Sequence, residues 1–162
     1  MPRVSFDALP DDARAWVFGA SDPLDAERCD VLLRAVDEAL GQWSAHGVPL
    51  TCARDWRDGR FLVIGVDQRD AGASGCSIDA LFRELQRLER TLGTTLVAGG
   101  RVFYRAASGE VQCVDRATWA ARARQGEVGE STPVFDTTVT TVGDVRRRFE
   151  RPAAASWHAQ LV

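Results

Sequence analysis

Leu50-Thr-Cys-Ala-Arg-Asp-Trp-Arg-Asp-Gly-Arg-Phe-Leu-Val-Ile-Gly-Val66 is the stretch that decides the fold. Two strand-like runs, 50–56 and 60–66, flank Arg57-Asp58-Gly59. Asp-Gly between such runs is a strong hairpin signal, because both residues tolerate the positive φ a tight turn needs. The second run is almost wholly apolar, which suits a central strand covered on both faces. Upstream, Ala15-Trp-Val-Phe-Gly-Ala20 reads as another strand buried on both faces. Between them, Asp22-Pro23 supplies an N-cap and a first-turn proline for a helix over about 24–45. Leu32, Val36, Leu40 and Trp43 fall on one stripe of it, and Gly47 and Pro49 close it. Downstream, a second amphipathic helix over about 77–93 carries Ile78, Leu81, Phe82, Leu85, Leu88 and Leu92 on one face and ends at Gly93. Residues 101–106 and 110–114 read as a second hairpin around Ser108-Gly109.

The order β-α-β-β-α-β predicts an α+β protein with a ferredoxin-like βαββαβ core and an antiparallel sheet. Its central strands are the first and third, the two most apolar runs here. This core covers about 14–114 within a single domain, 1–162. The C-terminal extension, about 115–162, is expected to extend the sheet or cover its open face. Asp115 caps a short helix through about Arg124, with Trp119 on its buried side. Residues 126–133 read as a loop, 134–142 as extended, and Asp144 as the start of a helix that breaks at Pro152. A last amphipathic turn docks Trp157 and Leu161.

Composition removes several functional classes. The net charge of −3 gives no bulk attraction to nucleic acid or to an anionic membrane. No apolar run reaches the ~20 residues of a membrane span, and the N-terminus lacks the apolar centre of a secretory signal. The expected location is cytoplasmic. All 20 basic residues are arginine, so a Schiff-base lysine and a P-loop lysine are both excluded. Cys29, Cys52, Cys76 and Cys113 include no Cys-x-x-Cys pair, and the histidines are only His46 and His158. Neither a zinc-finger nor an iron–sulfur spacing can be assembled from them, so no metal and no cofactor are expected.

Chemistry concentrates at Ala71-Gly-Ala-Ser-Gly-Cys-Ser-Ile-Asp79. Small residues lead into Cys76 where a helix begins, and free backbone N–H groups there favour a thiolate or a bound anion. The predicted topology brings the loop holding His46 and the end of the third strand, Asp67, to the same end of the sheet. Arg105, near the end of the fourth strand, is expected there too. The catalytic candidates are therefore Cys76, His46 and Asp67, with Asp67 or Asp79 orienting the imidazole. Gly72, Ser74, Gly75, Ser77, Asp79 and Arg105 are the binding candidates. Each part also has a plain structural reading: Cys76 as a small residue that fits, His46 as a solvent-facing residue, Asp67 as a turn cap, and Ser77 as an N-cap.

Trp43-Ser-Ala-His46-Gly-Val-Pro-Leu50, Arg60-Phe61, Val66-Asp67 and Ala73-Ser-Gly-Cys-Ser-Ile-Asp79 together carry a resemblance that extends to Arg101 and the Ser156-Trp157 tail. In these residues the chain resembles a family of small bacterial proteins of about this length whose members often bear the label "ABC transporter ATPase". The resemblance implies no activity, and the label conflicts with a chain that has neither a P-loop nor a lysine. Two expectations follow. One is thiol-dependent chemistry, or sulfur or redox handling, at Cys76. The other is a noncatalytic ligand-binding or self-associating module, with the 71–79 loop holding a small anionic ligand or a protein partner. A homodimer is compatible with the second.

Overall fold

The Asp58-Gly59 hairpin forms as its turn chemistry dictates. In the computed structural model, which describes residues 4–161, Asp58 and Gly59 take φ values of 55° and 64°. The first half of the chain runs β1 (Arg14–Gly19), α1 (Ala26–Gly41), β2 (Ser44–Ala45), β3 (Val48–Pro49), β4 (Thr51–Arg57), β5 (Phe61–Asp67) and α2 (Gly75–Leu92). The second half runs β6 (Arg101–Arg105), β7 (Val111–Asp115), α3 (Arg116–Arg124), β8 (Pro133–Phe135), α4 (Val142–Arg148) and β9 (Glu150–Pro152), with 3-10 turns at 153–155 and 157–161. The architecture is α+β, with antiparallel sheets.

Of the four ends of the two long helices, only the Gly93 end of α2 falls where expected; α1 stops at Gly41, short of the expected 45. Asp25, rather than Asp22, caps α1, its carboxylate accepting the Arg28 N–H at 2.8 Å. Ser74, rather than Ser77, caps α2, in a reciprocal box with Ser77 at the third helical position, and Gly93 ends that helix at φ 68°. Trp43 lies beyond α1 instead of on its stripe. It is buried nonetheless, and its indole N–H donates to the Ser77 carbonyl at 2.8 Å.

The first sheet has the order β1-β5-β4, with Arg14 opposite Val66 and Thr51 opposite Asp67. All seven residues of β5 are buried, as its apolar run requires. On one face Phe18, Leu62 and Ile64 pack against Leu32, Val36 and Leu40 of α1 and Leu81, Leu85 and Leu88 of α2. On the other, Ala15, Ala53 and Val63 meet Phe6, Leu9, Val142 and Val145.

The fourth strand departs from the ferredoxin-like arrangement. That pattern would pair β6 with the outer edge of β1. Instead β6 lies between β7 and β8 in a second sheet of order β7-β6-β8-β9. Aromatic packing accounts for the choice: Phe61 of β5 is fully buried among Phe103 of β6, Phe135 of β8 and Phe149, at ring separations of 5.1, 4.8 and 5.0 Å. Gly19 makes room for this docking, because a Cβ there would stand 2.4 Å from the Phe103 ring. A third cluster covers the second sheet, with Trp119 fully buried against Val102, Tyr104 and Val134.

Two further expectations are corrected. The stretch 134–142 is a strand only at Pro133–Phe135. The helix capped by Thr141 ends at Arg148 rather than running to Pro152, because Glu150–Pro152 pairs with β8 as β9. Strand pairing and burial of Phe149 override the local helical signal there. β1 is also less enclosed than its composition suggests, since Arg14, Trp16, Val17 and Gly19 are only half-buried along an open edge. Among the described residues no helix is long and apolar enough to cross a membrane.

Candidate functional site

Part of the expected end-of-sheet cluster assembles. The Trp43–Ser77 hydrogen bond and the Thr51–Asp67 pairing bring the β2–β3 turn, the end of β5 and the start of α2 together. His46 occupies the tip of that turn at φ 51° and is exposed. Cys76 is an exposed free thiol. Among the described residues no hydrogen bond links Cys76, His46 or Asp67 to one another. Asp67 belongs to Arg69, whose Nη2 lies 2.6 Å from Oδ2. That guanidinium holds the Asp67 carboxyl below the usual carboxylate range.

Two of the five binding candidates of the loop, Ser74 and Ser77, are engaged in capping. The Ser77 N–H donates to Ser74 Oγ at 3.1 Å, and the Ser74 N–H to Ser77 Oγ at 2.7 Å. Gly72, Gly75 and Asp79 are exposed. Arg105 is a correction. It donates to Glu150 at 2.7 Å and to Asp58 at 3.2 Å, and Asp58 lies in the turn at the opposite end of β5 from Asp67. Seven residues of strand, about 20 Å at ~3.3 Å each, separate it from the loop at 71–79. The cause is β6 itself, which left the first sheet for the second.

The same departure opens a cleft of about 360 Å³ between β1, the 96–101 segment and Thr137–Thr140. Its walls carry Arg14, Arg101 and Arg116 and no acidic side chain. None of the three guanidiniums contacts a carboxylate within 4 Å among the described residues, although Asp115, opposite Arg101 across β6 and β7 and outside the cleft lining, feels that cation's charge. Arg14 stacks over Trp16 with Cζ 4.6 Å from the ring, and Arg116 over Trp157 at 5.1 Å. Stacking fixes the plane of a guanidinium and leaves its N–H edge free for a carboxylate or phosphate. Alternation along β1 puts Arg14 and Trp16 on one face, while Gly99-Gly100, with Gly100 at φ 76°, forms the opposite lip.

Buried groups hold this cleft in shape. Burial pushes the Asp136 carboxyl up, but Thr138, through its hydroxyl and its N–H, and Arg151 at 2.9 Å outweigh it and keep the group below the usual range. That turn sets the course of Thr137–Thr140. His158, fully buried, stacks 3.9 Å beneath Trp157, and Ser156 Oγ meets its Nδ1 at 2.7 Å. Burial pushes its pKa down to about 4, assisted by Arg151 and Arg116 against Asp136, so the ring under Trp157 is neutral at pH 7. The cleft's positive charge therefore comes from arginine alone.

A larger opening, about 580 Å³, lies beside Asp58, Arg60 and Arg105, but its cations are engaged. Glu150 and Asp58 hold Arg105, and Arg60 donates to the carbonyls of Ala20, Ser21 and Val111. No group of three His, Cys, Asp or Glu side chains among the described residues is arranged to hold a metal ion.

The cleft escapes sequence reading because Arg14, Arg101 and Arg116 come from three separate elements. The available signals are weak: Arg14-Ala-Trp16 at strand spacing, and a Gly-Gly pair before β6. The chain matches no protein-family model, no curated protein and no solved structure.

Proposed function

We propose that this protein is a noncatalytic binding domain whose ligand presents anionic groups to the cleft between β1 and β6. One observation carries the reading: three arginines line a cleft whose walls hold no acidic side chain. Three cations and no anion among the lining residues make the potential in the cleft positive, which an anionic ligand complements. Trp16 and Trp157 add apolar surface and hold two of the cations in place. The thiol reading has less behind it, because neither His46 nor Asp67 offers Cys76 a hydrogen bond.

Titration with inorganic pyrophosphate, followed by tryptophan fluorescence and calorimetry, tests the proposal. Saturable binding is expected, weakening about tenfold or more in Arg101→Gln and in Arg116→Gln, as loss of one charge-assisted hydrogen bond implies. Affinity should also fall as salt rises. Cys76→Ser should bind as the parent does. Binding that survives both arginine substitutions, or that disappears in Cys76→Ser, overturns the assignment.

A further inference from the structure

The outer edge of β1 is sealed at both ends and open between them. Near its start the Ala15 N–H donates to the Thr140 carbonyl at 2.8 Å, and the Val142 N–H to the Ala13 carbonyl at 2.9 Å. Beyond its end the Ser21 N–H donates to the Thr95 carbonyl at 3.1 Å. In an antiparallel strand, alternate residues direct both backbone groups to the same side. Residues 13, 15 and 21 therefore mark an outward row that includes Val17 and Gly19. Among the described residues no hydrogen bond reaches Val17 or Gly19 from that side, and both line the cleft. This is the place a ferredoxin-like fourth strand would fill, left vacant because β6 pairs with β7 and β8.

Open strand edges normally carry a covering loop, a proline or a charge aimed into them. Here loops cover only the two ends, and the stretch between them faces an aromatic and cationic trough. We infer that the anionic ligand is an extended acidic polypeptide segment that adds as a short strand to β1. Its backbone pairs with Val17 and Gly19, and its carboxylates meet Arg14, Arg101 and Arg116. Strand addition draws affinity from main-chain hydrogen bonds and selectivity from alternate side chains. The gap accommodates on the order of three or four residues at ~3.3 Å each. The charge of the trough selects an acidic segment, and its tryptophans accept apolar residues between the carboxylates. This inference rests on the reading of the cleft as an anion site.

The test uses a dye-labelled, terminally blocked seven-residue peptide alternating glutamate with valine, read by fluorescence anisotropy on the full chain. Saturable binding is expected, reduced tenfold or more when valine alternates with lysine instead. N-methylation of alternate peptide amides should cost tenfold or more in one of the two frames and little in the other. Hydrogen exchange of the Val17 and Gly19 amides should slow when the peptide is bound. If pyrophosphate binds through the arginines but the peptide does not, the anion site stands and strand addition falls. If neither binds, both readings fall. Tolerance of N-methylation in both frames, unchanged exchange at Val17 and Gly19, or tighter binding of oligothymidylate than of the peptide also overturns the inference.

Discussion

Phe61 is the contact through which the two sheets hold one another, and its truncation has a calculable consequence. The ring is fully buried and touches Phe103, Phe135 and Phe149 at 5.1, 4.8 and 5.0 Å. Removing a buried phenylalanine typically costs about 3–5 kcal/mol, the sum of lost transfer energy and the cavity left behind. The upper half of that range applies, because three aromatic pairs worth about 0.5–1.5 kcal/mol each disappear together. Phe61→Ala is therefore expected to cost about 4 kcal/mol, a large part of the roughly 5–15 kcal/mol that holds a small domain folded. Phe61→Leu keeps most of the volume, loses only ring geometry, and should cost about half as much. Urea unfolding followed in parallel by tryptophan fluorescence and far-ultraviolet circular dichroism measures both. A Phe61–Phe103 double-mutant cycle should then give a coupling of about 1 kcal/mol or more. A cost below about 1 kcal/mol for Phe61→Ala, or strict additivity with Phe103→Ala, would refute the idea that this cluster joins the sheets.

The remaining predictions concern the buried histidine and a helix end. His158 titrates near 4 when folded against an ordinary 6.5, so the unfolded chain takes up its proton first as pH falls. The stabilisation is complete above about pH 6.5, is lost progressively down to about 4, and amounts to roughly 3 kcal/mol. Asp67, Asp115 and Asp136, all held below 3.8, act at lower pH, so the windows separate. Chemical denaturation of His158→Gln across pH 7 to 4 should show that slope removed; an unchanged slope would count against the assignment. Gly93 ends α2 at φ 68° with no atom near a Cβ position, so strain alone should make Gly93→Ala cost about 1 kcal/mol in melting experiments. No loss in that variant would mean the helix end relaxes freely.

Much of the local structure was legible in the residues. Whereas the cap at the start of α2 is Ser74, three residues before the expected Ser77, Gly93 ends that helix as expected because left-handed backbone is a short-range effect, satisfied within a few positions. The same holds for Asp58-Gly59 between β4 and β5, for Asp115 before α3, and for the buried run 61–66. The expected end-of-sheet cluster was legible only as proximity. His46, Cys76 and the Asp67 end of β5 do share one end of the sheet, yet Arg69, two residues away, takes the Asp67 carboxylate, and local pairing of that kind outcompetes a longer-range partner. Arg105 was misplaced because its position follows from which strand β6 pairs with. Periodicity reports that β6 is a strand and says nothing of its neighbour.

By itself, then, the sequence determined the α+β class, the two long helices, the two hairpins and the absence of lysine chemistry. All of these depend on residues close together in the chain or on composition. Only the tertiary structure decided that β6 joins a second sheet, that the outer edge of β1 is left open, and that Arg14, Arg101 and Arg116 face one cleft. The reason is that burying Phe61, Phe103, Phe135 and Phe149 together joins residues up to 88 positions apart, and that gain outweighs completing a four-stranded sheet.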